Sequence, residues 1–245
     1  MNETGSSSQL QKPAGAVRYG VSAAVLKYLA VISMLIDHTA HALYALPAIR
    51  PAYQSMRYIG RFAFPVYCFF IVEGFEHTHS RWKYLKNLCI FAALSQVPFV
   101  KALFPQNHIL GKLNVYFTLV LGLICIWVLD NAMKAGSRRE LHAAAAALCV
   151  CALSCAAHLL SVDYRYGGVL LIVLFYLLRK HRALALLAGY IWISYYNPTE
   201  VFAFPAFLLL MMYSGKRGRQ NKWLFYAFYP AHLAVLAVLR VKFGI

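Results

Sequence analysis

The sequence predicts an all-α, polytopic transmembrane helix bundle of about nine spans. Three observations carry that reading. The 245 residues are 61% hydrophobic and only 13% charged, whereas a soluble domain averages about half apolar and about a quarter charged. Long apolar runs recur from Val21 to the C-terminus. The Lys and Arg residues gather in short clusters between those runs, the pattern of loops that face anionic lipid.

Residues 1–20 are polar and rich in Ser and Gly, without the apolar core of a cleavable signal peptide. They are expected to form a disordered cytoplasmic tail, with the first span as an uncleaved membrane signal. Residues 21–245 then form one membrane domain, with spans near 21–46, 57–77, 84–104, 113–130, 142–161, 165–179, 183–197, 199–213 and 223–243. The runs between 165 and 213 are short, which suits short tilted helices packed in the bundle, or a re-entrant segment. With the N-terminus inside, 16 of the 24 basic residues fall on the inner side and 8 on the outer. The positive-inside rule therefore predicts a cytoplasmic N-terminus. The net charge of +16 is accounted for by lipid, so nucleic acid is not an expected partner. All six cysteines lie in apolar segments without a Cys-x-x-Cys pair, so neither disulfides nor a metal site is expected.

Candidate chemistry comes from ionisable residues inside the spans, where they are costly and usually face the bundle interior. In SMLIDHTAHALYAL (33–46), Asp37 and His38 lie ~15 Å beyond Lys27, near the middle of a ~30 Å hydrocarbon core. Asp37 and His41 are four apart and share a helix face, so the carboxylate is placed to accept from the imidazole. Such a histidine is a common general base. The competing reading is polar glue between helices. His38-x-x-His41 is half of a zinc site, but no further Cys/His cluster completes it. His232 reaches a similar depth from the other end of the chain, two residues after Pro230 in FYAFYPAHL. Arg61 in GRFAFP either snorkels, pairs with Asp37 or binds an anion, and Pro65 is expected to kink that span. Glu73 is a plausible partner for a cation. Asn114 and Thr118 share a face of the fourth span, and Asp163, Tyr164 and Tyr166 open the sixth beside Gly167 and Gly168. Taken alone, these suit caps or interfacial anchors as well as a site. Motifs of soluble enzymes are absent.

The blocks LKYLAVISMLIDH (26–38), YIGRFAFPVYCFFIVEGFEHT (58–78), LNVYFTLVLG (113–122), DYRYGGVLLIVLFYL (163–177), SGKRG (214–218) and FYAFYPAHL (225–233) together resemble the TraX family. That family is named for the conjugation protein that acetylates the N-terminus of F-type pilin. The resemblance runs in order from about residue 25 to 240. It implies an integral membrane N-acetyltransferase of the bacterial inner membrane that uses acetyl-CoA. It also implies a distant likeness to heparan-α-glucosaminide N-acetyltransferase, which takes acetyl from cytosolic CoA to an acceptor across the membrane. Asp37, His38, Arg61, Glu73, Asn114, Thr118, Asp163, Tyr164, Tyr229 and His232 stand at positions within these blocks; His41 belongs to none.

The resemblance implies His38 as base or acyl carrier, with His232 second. Asp37 is expected to stabilise the imidazolium. Arg61, Asn114 or Tyr164 would polarise the carbonyl or orient the acceptor, and basic inner loops would hold the CoA phosphates. The acceptor is expected to be a pilin N-terminus or an envelope component bearing an amine or hydroxyl. The rivals are a proton-coupled transporter, disfavoured by the lack of an internal repeat, and a non-catalytic pilus or envelope assembly protein.

Overall fold

The computed structural model describes residues 20–136 and 138–245. The expected tail over 1–20 lies, but for Gly20, outside the described residues. Ten α-helices account for most of the described chain: α1 (Ala23–Ala42), α2 (Tyr53–Gly60), α3 (Ala63–His77), α4 (Arg81–Leu103), α5 (Val115–Lys134), α6 (Arg139–Leu159), α7 (Arg165–Leu177), α8 (Arg182–Tyr196), α9 (Phe204–Met211) and α10 (Lys222–Phe243). Two 3-10 turns, Arg50–Ala52 and Pro198–Ala203, lead into α2 and α9. Among the described residues no strand forms, only isolated bridges joining Val21 to Tyr213 and Leu113 to Val162.

The nine expected runs all become helical, but one of them is broken. Residues 53–77 form α2 and α3, interrupted at Arg61 and Phe62. Pro65 explains the place of the break, because a proline ring clashes with the carbonyl four residues earlier and donates no hydrogen bond. The Arg61 amide turns back to the Tyr58 carbonyl at 3.1 Å, and the Arg57 carbonyl is capped instead by Arg61 Nε at 3.0 Å. In α10 the helix continues through Pro230, and the Tyr226 carbonyl four residues earlier accepts from Tyr116 Oη at 3.3 Å.

Five segments are long and apolar enough to cross a membrane: α1, the broken α2–α3 unit, α5, α6 and α10. This is a multi-pass membrane protein. The helix α7, at 13 residues, spans only ~20 Å and is buried along most of its length, so it packs within the bundle. Large apolar side chains such as Leu148, Ile191, Val235, Val238 and Val241 face outward, as a lipid-solvated surface requires.

The helices α1, α3, α5 and α7 form the interior. The helix α10 lies against α4 and α1, α6 covers α5 and α7, and α8 and α9 close one side together with the Pro198–Ala203 turn. Gly60, the last residue of α2, lets that helix meet α1, since a Cβ there would overlap the Asp37 side chain. Gly60→Val is therefore expected to lower thermal stability in detergent by ~1–3 kcal/mol. Gly136→Ala, with open space around its Cβ, leaves it unchanged.

Candidate active site

One turn and a half from the end of α1, Asp37 and His38 point to different neighbours. Asp37 is buried, with Oδ2 accepting from Arg57 Nη1 at 2.7 Å and Oδ1 from Arg61 Nη2 at 2.6 Å. Arg61 Nη1 also donates to Glu200 Oε1 at 2.9 Å and Tyr164 Oη at 3.2 Å. Two arginines and two carboxylates thus neutralise one another in the interior, where an unpaired charge is costly. Glu200 sits in the 3-10 turn before α9 and is fully buried. Tyr164 is positioned by stacking on Phe64, centroids 3.5 Å apart. It lies in a loop where Ser161, Tyr164 and Arg165 all adopt positive φ. Strained backbone of this kind persists only where surroundings enforce it, and it clusters at functional sites. Here the loop is fastened by Leu113, whose amide donates to Ser161 and whose carbonyl accepts from Asp163.

His38 turns instead to α10. Its Nδ1 lies 2.7 Å from His232 Nε2, and His232 Nδ1 lies 2.7 Å from the Phe228 carbonyl. A carbonyl only accepts, so in the neutral pair His232 carries its proton on Nδ1 and presents Nε2 as an acceptor. His38 must then donate from Nδ1. That assignment, made from the hydrogen bonds, leaves His38 Nε2 with a free lone pair. The two rings lie within 3° of parallel, and Tyr229 meets His38 edge-on at 5.8 Å.

A cavity of about 880 Å³ opens beside these groups, its wall including Asp37, His38, Arg57, Asp163, Tyr164 and Tyr229. Its volume is in the range of small-molecule sites. Lys112, 3.9 Å from Asp163, and Arg165 also border it. A base at the wall of a polar cavity within a membrane bundle is equipped to take a proton from a bound amine or hydroxyl.

The TraX protein family model matches residues 22–240. The chain belongs to the TraX family. It is also 31% identical, over 242 residues, to a probable fimbrial assembly protein FimC of serogroup H1 from Dichelobacter nodosus, covering 88% of this chain and 94% of that protein. No solved structure matches it.

In this TraX fold the residues expected from the sequence separate into groups. Asp37, His38, Arg61, Asp163, Tyr164 and Tyr229 border the first cavity, and His232 stands behind His38. Asn114 caps α5 through Tyr116 N and binds the Ala92 carbonyl and Gln96 from α4. Thr118 donates to the Asp163 carbonyl. Both hold the walls rather than line the cavity. Glu73 lies elsewhere, in a second cavity, and accepts from Tyr213 Oη at 3.3 Å.

One expected pairing differs from the geometry found. His41 does not meet Asp37; its Nε2 lies 3.0 Å from the Leu103 carbonyl, because two arginines occupy the carboxylate. Asp37 and His38, adjacent and so ~100° apart around α1, do not bond to each other, and His232 orients the His38 ring. Arg61 pairs with Asp37, one of the readings open for it, and its guanidinium also reaches the Arg57 carbonyl, Tyr164 and Glu200, so it does not snorkel.

Arg57 and Glu200 escaped the reading of the sequence. Glu200 had a usable signal, as one of eight acidic residues, in NPTEVFAFP between apolar runs. A guanidinium fork is what the Arg61 position demands. Arg61→Lys places a point charge there, which cannot span Asp37, Glu200, Tyr164 and the Arg57 carbonyl together. It is expected to destabilise the protein by ~3–5 kcal/mol, the scale of a broken buried pair, read as a lowered melting temperature in detergent.

Proposed function

We propose that this TraX-family protein is an integral membrane acetyltransferase. It moves an acetyl group from acetyl-CoA to an amine or hydroxyl of a pilin N-terminus or another envelope component. The observation that carries the proposal is His38, a residue lining the large cavity, whose Nδ1 is engaged by His232 and whose Nε2 is thereby left as the unprotonated nitrogen. Family membership supports it, and the fimbrial relative supports a pilus component as the acceptor.

His38 Nε2 takes the proton from the acceptor's N–H or O–H as that atom attacks the thioester carbonyl. The carbon–sulfur bond then breaks, and the imidazolium returns the proton to the departing thiolate. The transient charge is shared through Nδ1–H with His232, whose own Nδ1–H donates to the Phe228 carbonyl. His232 is thus a positioning residue, and Asp37 acts at a distance by holding Arg57 and Arg61. The face bearing the α3–α4 turn and residues 214–221 is cytoplasmic in this reading, in agreement with the positive-inside rule. The protein lies in the bacterial inner membrane, and the first cavity opens toward the acceptor side.

A second reading, a non-catalytic part in fimbrial assembly, is favoured by the name of the Dichelobacter relative. Under it acetyl-CoA gives no thermal stabilisation of the purified protein. For the enzyme, His38→Ala is expected to lower acetyl transfer ~10²–10⁴-fold while the fold is kept. Full activity in a folded His38→Ala protein contradicts the assignment. His232→Gln, whose amide oxygen still accepts from His38 Nδ1, retains more activity than His232→Ala; the assay is mass spectrometry of the acceptor.

A further inference from the structure

A second cavity, of about 680 Å³, opens on the opposite face of the bundle, between the start of α1, the end of α3, the start of α4 and the segment 213–226. Three of its lining residues are cations: Lys27, Lys83 and Arg217. Glu73 is its one carboxylate, and Tyr213 already donates to that group. Among the described residues none of the three cations has a carboxylate within ion-pair distance, although Arg81, Lys134 and Arg179 on the same face all do. Lys27 is half-buried, 4.7 Å over the Phe70 ring and 5.8 Å over Phe225. Glu73 in the same cavity acts on Lys27 only from beyond ion-pair distance, so this half-buried cation is poised for an anion from outside the chain.

The cradle is also built. The SGKRG segment, which the first cavity leaves unused, is laced to the start of α1. Ala23 N donates to the Lys216 carbonyl at 2.9 Å, Ala24 N to Arg217 at 3.1 Å, and Ser214 N to Val21 at 3.0 Å. Gly215 and Gly218 take φ of 74° and 69°, and a Cβ on Gly218 would press on Ser22 and Ala24. These glycines let the loop lie flat on α1 and hold Arg217 at the cavity. The two cavities share Tyr67, Tyr116, Leu119 and Phe225 as a partition. The hydroxyl of Tyr67 is buried there without a partner.

We propose that the second cavity binds a phosphate-bearing ligand, held by Lys27, Lys83 and Arg217, whose narrow arm reaches the His38 cavity past Tyr67. Identifying that ligand as the acyl donor rests on the acetyltransferase reading; the preference for phosphate does not.

The test is isothermal titration of coenzyme A into the full-length protein in nanodiscs of zwitterionic lipid, with a parallel assay of binding to phosphatidylglycerol vesicles. Both surface cations are exposed, so the K83A/R217A protein is expected to fold. The expected result is coenzyme A binding that weakens at least about tenfold in K83A/R217A and with added salt, but persists in His38→Ala. Binding equal in wild type and K83A/R217A overturns the cradle and leaves the acetyltransferase reading standing. No coenzyme A binding, with vesicle binding that depends on Lys83 and Arg217, keeps the phosphate cradle, assigns it to lipid headgroups and removes the donor reading. The absence of both coenzyme A binding and vesicle binding overturns the proposal.

Discussion

Arg61 holds the bundle's interior together. Its guanidinium reaches Asp37 on α1, the Arg57 carbonyl on α2, Tyr164 at the start of α7 and Glu200 before α9. In a low-dielectric interior each of these groups would be costly alone, and the planar fork satisfies them in one place. The helix break at Arg61 is part of the same device, because the Arg57 carbonyl, left without the Arg61 amide when that amide turns to Tyr58, becomes an acceptor for Arg61 Nε. Clamping Asp37 also fixes the rotation of α1. Adjacent residues are ~100° apart around a helix, so the grip on Asp37 turns His38 toward α10.

Chemistry and architecture are therefore separated within one dipeptide. Asp37 belongs to the ion network that joins four segments, and His38 belongs to a two-histidine relay that ends on a backbone carbonyl. The relay is neutral, which suits a membrane interior better than an Asp–His⁺ pair. It still leaves one unprotonated nitrogen on a residue that borders the first cavity. On the opposite face lies a cavity with more positive charge than its neighbours balance, separated from the first by an aromatic partition that contains Tyr67. Two chemically different vestibules that meet inside a bundle suit a reaction whose substrates come from opposite sides.

Much of this was legible in the residues. Apolar runs located nine of the ten helices, since lipid demands continuous hydrogen-bonded apolar segments; the more polar α2 reads as one span with α3. Basic clusters sorted the loops into two faces, and Lys27, Lys83 and Arg217 do share one cavity. Helix rise placed His38 and His232 at one depth, and they meet at 2.7 Å. Pairing was less legible. Spacing alone joins Asp37 to His41, but i, i+4 proximity is a weak interaction that two guanidinium groups from another segment override. Asn114 reads from the sequence as a cap before a ligand, and its Oδ1 does accept from Tyr116 N while its amide is held by Gln96 and Ala92 on α4. Glu200 became part of the site through a tertiary contact with a residue 139 positions away, which periodicity does not encode.

The most direct test of the oriented histidine is nitrogen NMR of protein labelled with ¹⁵N-histidine, in nanodiscs at neutral pH, with His38→Gln and His232→Gln used to assign the signals. The predicted spectrum shows both residues neutral and protonated on Nδ1, with His38 Nε2 carrying the unprotonated, lone-pair shift. A His38 ring protonated on Nε2, or an imidazolium at either position, would contradict it.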